Sequence, residues 1–236
     1  MEQETLFLFD NFNNSFDNLK NKLQNDLPRN LRLLNIRLRL AIDMKIDFKG
    51  EISLTKTKQV RDTYGFLIKM IECWNSYEVL FNFIAEVENH HKTSINFENK
   101  YFTSLLIESE SISILKETLN QLKSKYTSDK KFNLDFNHFI KRIIEHKKIK
   151  TQLTNFSKNT LAYFNGNNNL SGVETIALIY AERNMYYHNG ETVKMGMSYS
   201  NRQFLIQTLT RGFIKHILLL STYIIEKETD RIDKQI

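Results

Sequence analysis

The chain has 236 residues, a formal net charge of +6 and a sequence pI near 9.2, with 41% hydrophobic and 12% aromatic residues. One proline and seven thinly spread glycines exclude a many-turned β-sandwich, and the lone Cys73 excludes a disulfide framework and a cysteine-based zinc site. The acids of MEQETLFLFDN do not read as a signal peptide, and no apolar run reaches the roughly 20 residues that span a bilayer, so the expectation is one helical domain, cytoplasmic, without a membrane partner.

Phe9, Phe12, Phe16, Leu19 and Leu23 fall at three-and-four spacing, which predicts an amphipathic helix over about 5–26, ended by Pro28. The next stretch carries two signals. Leu31, Leu34, Leu38 and Ala41 fit a helix, whereas Ile36, Leu38, Leu40, Ile42, Met44, Ile46 and Phe48 alternate strictly, as in a strand. The reading is a helix through about residue 40 and an extended or β-hairpin segment near 42–56, with Lys49-Gly50 at its turn. Residues 1–56 thus form an N-terminal extension to a bundle over 57–236.

Val60, Tyr64, Leu67, Ile71 and Trp74 make one stripe of a long helix over about 57–89, with Cys73 a buried thiol within it. Further helices are expected at 97–108, 110–126, 134–149 and 151–163. After the break at Asn165-Gly166-Asn167-Asn168-Asn169, Ser171 and Glu174 have capping-box spacing and open a helix through Ile176, Ile179, Tyr180, Arg183 and Tyr187. A second such box, Ser200 to Gln203, opens a last helix over about 201–228. The fold class expected is mainly all-α, a helical bundle.

No Gly-rich phosphate loop, zinc pattern or Ser-His-Asp set is present. His90-His91 and the Arg142/His146 pair read as a helix end and a solvated face, and Asp135 and His138 carry no clear geometry. The segment from Glu182 to Glu191 differs. Asn184 and His188, four apart, share a helix face, and Arg183 and Tyr187 share the neighbouring one. A histidine can take or give a proton near neutral pH, and a guanidinium makes a planar, always charged fork for phosphate. Those groups suffice to open an RNA strand without a metal. A second match of the same spacing, Arg211 to His216, lies inside the last helix, has glycine after the arginine, and reads as a surface or bundle-edge feature.

Arg183-Asn184-Met185-Tyr186-Tyr187-His188 resembles the Rx4–6H motif, in its Arg-polar-x3-His form, of the HEPN-domain ribonucleases. Trp74, Asn75 and Glu78 on the long helix are similar, less specifically, to the early helix of that family. The resemblance covers about residues 57–228. It implies a HEPN-type helical bundle with metal-independent endoribonuclease activity, working as a homodimer whose two motifs share a cleft, and no cofactor. It further implies a toxin, anti-phage or abortive-infection effector, with an antitoxin or defence-system protein as partner. Arg183 would hold the scissile phosphate, His188 act as acid or base, and Asn184 orient the histidine or the sugar. Tyr180 or Tyr187 would stack a base, and Lys194 and Arg202 would contact the flanking RNA strand. Gly190 stands where some HEPN toxins carry a modified tyrosine, so that regulation is not expected. The alternative is a non-catalytic helical module that binds RNA or protein, such as a subunit of a larger defence complex.

Overall fold

The computed structural model describes residues 3–24, 26–48, 57–87, 100–145, 151–167, 169–189 and 195–234, with side chains for all of these except 100, 151, 152 and 187–189. Among the described residues the fold is all-α, with no strand. The helices are α1 (Gln3–Lys22), α2 (Arg29–Asp43), α3 (Lys58–Val87), α4 (Lys100–Glu108), α5 (Ser111–Ser128), α6 (Lys130–Glu145), α7 (Thr151–Phe164), α8 (Val173–Asn189) and α9 (Tyr199–Asp233). None of them is long and apolar enough to cross a membrane.

Two local readings change. The first helix ends at Lys22, where Gln24 takes a left-handed φ of 49°; Pro28 instead opens α2, its carbonyl accepting the Arg32 N–H at 3.2 Å. The alternation from Ile36 onward is helical as far as Asp43, residues 44–48 form no strand, and the rest of the expected hairpin, 49–56, lies outside the described residues. In a helix, positions two apart sit about 200° apart. The same alternation therefore buries Leu38 and Ile42 while leaving Ile36 and Leu40 exposed.

Contacts gather the chain into two compact units. One compact unit comprises 1–43, 72–114 and 213–236; the other comprises 44–71 and 115–212. The first unit buries Leu8, Phe12, Phe16 and Leu19 of α1 with Leu31, Leu34 and Leu38 of α2. Its centre is aromatic. Tyr77 meets Phe213 at 4.9 Å between ring centroids and Phe81 at 4.9 Å, both edge-on, and Trp74 stacks on Phe213 at 5.9 Å. Cys73 is buried, as its apolar neighbours imply. Into this cluster α9 inserts His216, fully buried, its Nε2 3.2 Å from the Tyr77 hydroxyl and its ring stacked on Phe213. Burial pushes the His216 pKa down to about 3, outweighing a backbone contact with Ser111 that favours the charged form.

In the second unit α6 packs on α7 and α7 on α8. Phe136 of α6 stacks on Phe164 of α7 at 4.8 Å, with Tyr126 set edge-on to Phe164 at 5.1 Å. Asp129 separates α5 from α6 by accepting the N–H groups of Lys131 and Phe132 at 2.9 and 3.0 Å. At Gly212 an added Cβ would fall 1.9 Å from Thr118 Oγ1 and 2.9 Å from Thr118 Cβ and Cγ2. Only a glycine lets α9 approach α5 there. The glycine that follows Arg211 is thus a packing requirement.

Two outcomes are expected. Gly212→Ala costs about 1–3 kcal/mol by overpacking, and Thr118→Ala in the same chain recovers part of it, measured by denaturant unfolding. His216 gives the second. The unfolded chain regains the ordinary histidine pKa, so between about pH 6.5 and about 3 it binds more protons than the folded chain, and stability falls as pH falls through that window. The thermal midpoint of His216→Gln should therefore fall less steeply than that of the wild type from about pH 7 to about 4.5.

Candidate functional site

The helix that carries the motif is held at its start, its middle and by its neighbour. Ser171 donates its hydroxyl to Glu174 Oε2 at 2.8 Å, and the same carboxylate oxygen accepts the Gly172 N–H at 3.0 Å. Ser171 Oγ accepts the Val173 N–H at 3.3 Å, with Gly172 at a left-handed φ of 97°. Ser171 and Glu174 thus do close the helix start, but through the N–H groups of Gly172 and Val173 rather than those of Ser171 and Glu174 that the expected capping box would use. Thr175 adds a hydroxyl bond to the Leu115 carbonyl at 2.8 Å. Residues 173–179 are all buried, the polar Glu174 and Thr175 among them, so the first two turns of α8 lie inside the unit with no side facing solvent.

Further along, Ala181, Glu182 and Met185 stay buried while Tyr180, Arg183, Asn184 and Tyr186 are half-buried. Glu182 is fully enclosed and bound by both terminal nitrogens of Arg202 of α9, Nη2 reaching Oε2 at 2.5 Å. Arg202 has no exposed side-chain surface. Its Nη2 also lies 3.0 Å from Met195 Sδ, and its guanidinium 5.5 Å from the centre of the Phe139 ring. This overturns the expected role of Arg202 as an RNA contact. A guanidinium sealed against a carboxylate and an aromatic ring has no face to offer a phosphate, and a bidentate partner within the core satisfies its charge.

The start of α9 also differs from the expected Ser200 box. The helix begins at Tyr199, and the side chain that caps it comes from α6. Asp135 Oδ2 accepts the Ser198 N–H at 3.0 Å, the Ser198 hydroxyl at 2.8 Å and Asn201 Nδ2 at 2.8 Å. Desolvation pushes the Asp135 pKa up, but the bonds from Ser198 and Asn201 together outweigh it, and the net direction is down. Asp135, which showed no clear geometry in sequence, is the cap of the helix that delivers Arg202. Gln203, one residue on, donates to the Gln59 carbonyl and Thr63 hydroxyl of α3, both at 3.0 Å.

With Glu182 turned inward, Arg183 follows about 100° around the axis and reaches the partly exposed side. Its Nη1 donates to Asn184 Oδ1 at 3.2 Å. The helix runs unbroken through His188 to Asn189, so the backbone positions of Asn184 and His188 lie about 40° apart on one face, whereas Arg183 and His188 are about 140° apart. The bond to Asn184 leans the guanidinium toward the Asn184/His188 face. Asn184, expected to orient a histidine or a sugar, accepts this bond from the arginine.

Of the remaining expected residues, Tyr180 is half-buried on α8, the side chain of Tyr187 lies outside the described side chains, and Lys194 lies outside the described residues. His90, His91 and His146 also lie outside the described residues. Sequence reading did not select Tyr186 or Tyr64. Tyr64 of α3 meets Tyr186 edge-on at 6.0 Å, three residues after Arg183 on the same helix, and burial with Tyr64 beside it pushes the Tyr186 hydroxyl pKa up. The i,i+3 spacing of Arg183 and Tyr186 was available, but nothing in sequence linked Tyr186 to a residue 122 positions earlier. Trp74 and Glu78, on the helix likened to the early HEPN helix, are bonded to each other, indole Nε1 to Oε1 at 2.6 Å, and Asn75 Nδ2 bonds Glu72 Oε2 at 3.1 Å. In the second Arg–His match Arg211 is exposed and His216 fully buried, a structural arrangement.

No protein-family model, curated protein or solved structure matches the chain.

The buried pair makes a prediction that separates packing from nucleic-acid contact. Arg202→Ala leaves Glu182 charged and unpaired, and should cost about 3–5 kcal/mol in unfolding free energy. The paired change Arg202→Met with Glu182→Leu should recover most of it. Were Arg202 an RNA contact, Arg202→Ala would leave stability unchanged.

Proposed function

We propose that the chain is a metal-independent endoribonuclease of the HEPN type, acting in the cytoplasm as a toxin or anti-phage effector. The observation that carries this reading is the Arg183–Asn184 bond, which leans a half-buried guanidinium toward the helix face on which His188 stands.

Chemically the residues fit a transesterification. A histidine takes the proton of the RNA 2′-hydroxyl, the 2′-oxygen forms a bond to phosphorus, and the bond from phosphorus to the 5′-oxygen breaks. The departing oxygen receives a proton, leaving a 2′,3′-cyclic phosphate on one fragment and a 5′-hydroxyl on the other. One histidine cannot begin as both the base and the acid, so a homodimer that supplies His188 twice completes the proton account. Arg183 neutralises charge gathering on the non-bridging oxygens, and because Asn184 already holds it, little reorganisation is needed. Tyr180, Tyr187 and Lys194 serve as contacts to bases and strand, and the Tyr64–Tyr186 pair adds aromatic surface beside Arg183. The host must restrain such an enzyme, so an antitoxin or defence-system protein is the expected partner.

Arg183→Ala and His188→Ala should each lower RNA cleavage by about 10²–10⁴-fold with the fold intact by circular dichroism, and Asn184→Ala by a smaller factor. Cleavage that persists in folded His188→Ala would refute the proposal and favour a module that binds RNA or protein without cutting.

A further inference from the structure

Charge is divided unequally between the two compact units. Residues 44–71 and 115–212, which include Arg183, hold 21 lysines and arginines against 10 aspartates and glutamates, whereas the other unit holds 12 against 17. The net charge of +6 is thus the sum of a unit at +11 and one at −5. A polyanion is drawn to the unit that carries the motif and repelled by the other.

Several cations of the basic unit are used by the fold. Lys125 pairs with Asp129 at 2.7 Å, Lys123 Nζ lies 3.8 Å from the centre of the Tyr163 ring, and Arg202 is sealed against Glu182. The outer face of α6 is different. The buried stripe of this helix is Phe132, Phe136, Phe139, Ile140 and Ile143. Opposite it, Lys131, Leu134, His138, Lys141, Arg142 and Glu145 stand within about 100° of arc, and all six are exposed. Among the described residues neither Lys131 nor Lys141 is in an ion pair. Glu145 is the one acid on the face. Asp129 and Asp135 are turned to N–H donors as the caps of α6 and α9, and Lys131 acts on Asp135 through its charge.

The C-terminal end of this face leads to the motif. A Cβ at Gly196 would lie 3.8 Å from Cδ and from Nη1 of Arg142, so that arginine lies against the segment that follows the motif helix. Next to Gly196, Met195 meets Arg202 through its sulfur, and Arg202 holds Glu182, the residue before Arg183. From Arg142 the face runs back roughly 16 Å along α6 to Lys131.

We propose that the outer face of α6 is a track for single-stranded RNA, on which Lys131, Lys141 and Arg142 hold phosphates while His138 and Leu134 lie under bases. It supplies the strand contact that the buried Arg202 does not make. Cations along a groove or face follow the backbone without reading sequence, and an imidazole offers a flat surface to any base. An anionic membrane is a poorer match. The apolar stripe of α6 is buried in the core, and Leu134 is the one large hydrophobic side chain exposed among the described residues of this unit, too little to enter a lipid surface.

The inference rests on the ribonuclease reading for its choice of RNA, so its test separates binding from cutting. A fluorescent 2′-O-methyl oligonucleotide of about 12 nucleotides offers the same phosphates and bases but no 2′-hydroxyl to attack. Its anisotropy with the purified full chain should show binding that weakens between about 50 and 200 mM salt. Lys131→Glu and Lys141→Glu should each lower the affinity about tenfold with the thermal midpoint unchanged, and Lys141→Ala should flatten the log–log salt slope by about 0.7. His138→Ala should lower the affinity about fivefold or more at an unchanged slope. Arg32→Glu, an equal change of charge in the acidic unit, should leave it within about twofold. A probe that does not bind, an affinity untouched by the two α6 charge reversals, or an equal loss in Arg32→Glu overturns the proposal. So does a loss confined to phosphatidylserine vesicles, which would give the face to membranes. If the wild type leaves RNA uncut while the α6 variants lose the probe, the track stands and the ribonuclease reading falls. RNA cleavage that the α6 variants retain at wild-type KM has the opposite meaning.

Discussion

Everything at the candidate site depends on one buried ion pair. Glu182 and Arg202 stand 20 residues apart on α8 and α9, on either side of a link whose residues 190–194 lie outside the described residues, and neither side chain has exposed surface. Bringing two charges out of water is costly, and the cost is offset only when the geometry is good and the remaining donors are satisfied. Here the guanidinium is met twice by carboxylate, once by the sulfur of Met195, and lies close to the ring of Phe139. The pair allows α8 one rotation about its axis. Since Glu182 must point inward, Arg183 must emerge, and Asn184 follows within reach of it.

The supports around the pair are of the same kind. Asp135 caps α9 from α6, Gln203 ties its first turn to α3, and Glu174 with Ser171 fixes the start of α8. Each joins segments distant in sequence or closes a helix end, and together they make a rigid frame for a short polar segment. The first unit places its polar chemistry inside instead. His216 is neutral, enclosed by Tyr77 and Phe213, and its arginine counterpart in the motif spacing faces outward. The arginines of the two matches also differ, Arg183 being half-buried and Arg211 exposed.

Much of the helical framework was legible because period and caps are local signals. Phe12, Phe16 and Leu19 mark α1, and the Ser171/Glu174 spacing marks the start of α8. What stayed hidden was non-local. An arginine in the first turn of a helix reads as a surface cation; only its distant partner Glu182 makes Arg202 a core residue. Asp135 caps a helix 63 residues away from it. The alternation from Ile36 to Ile42 misled for a different reason. It is a true pattern of two faces, one buried and one exposed, so it carries a strand signal beside the helical one, and the reading ends the helix at about residue 40 instead of Asp43. At the site, the sharing of a face by Asn184 and His188 was readable from their spacing, whereas the hydrogen bond that draws Arg183 toward that face was not.

The chemistry proposed for that face has a signature in its products. Total RNA incubated with the purified chain in excess EDTA should be cut, leaving fragments with 2′,3′-cyclic phosphate at one end and 5′-hydroxyl at the other. Cleavage that demands magnesium, or fragments ending in 3′-hydroxyl and 5′-phosphate, would contradict the account.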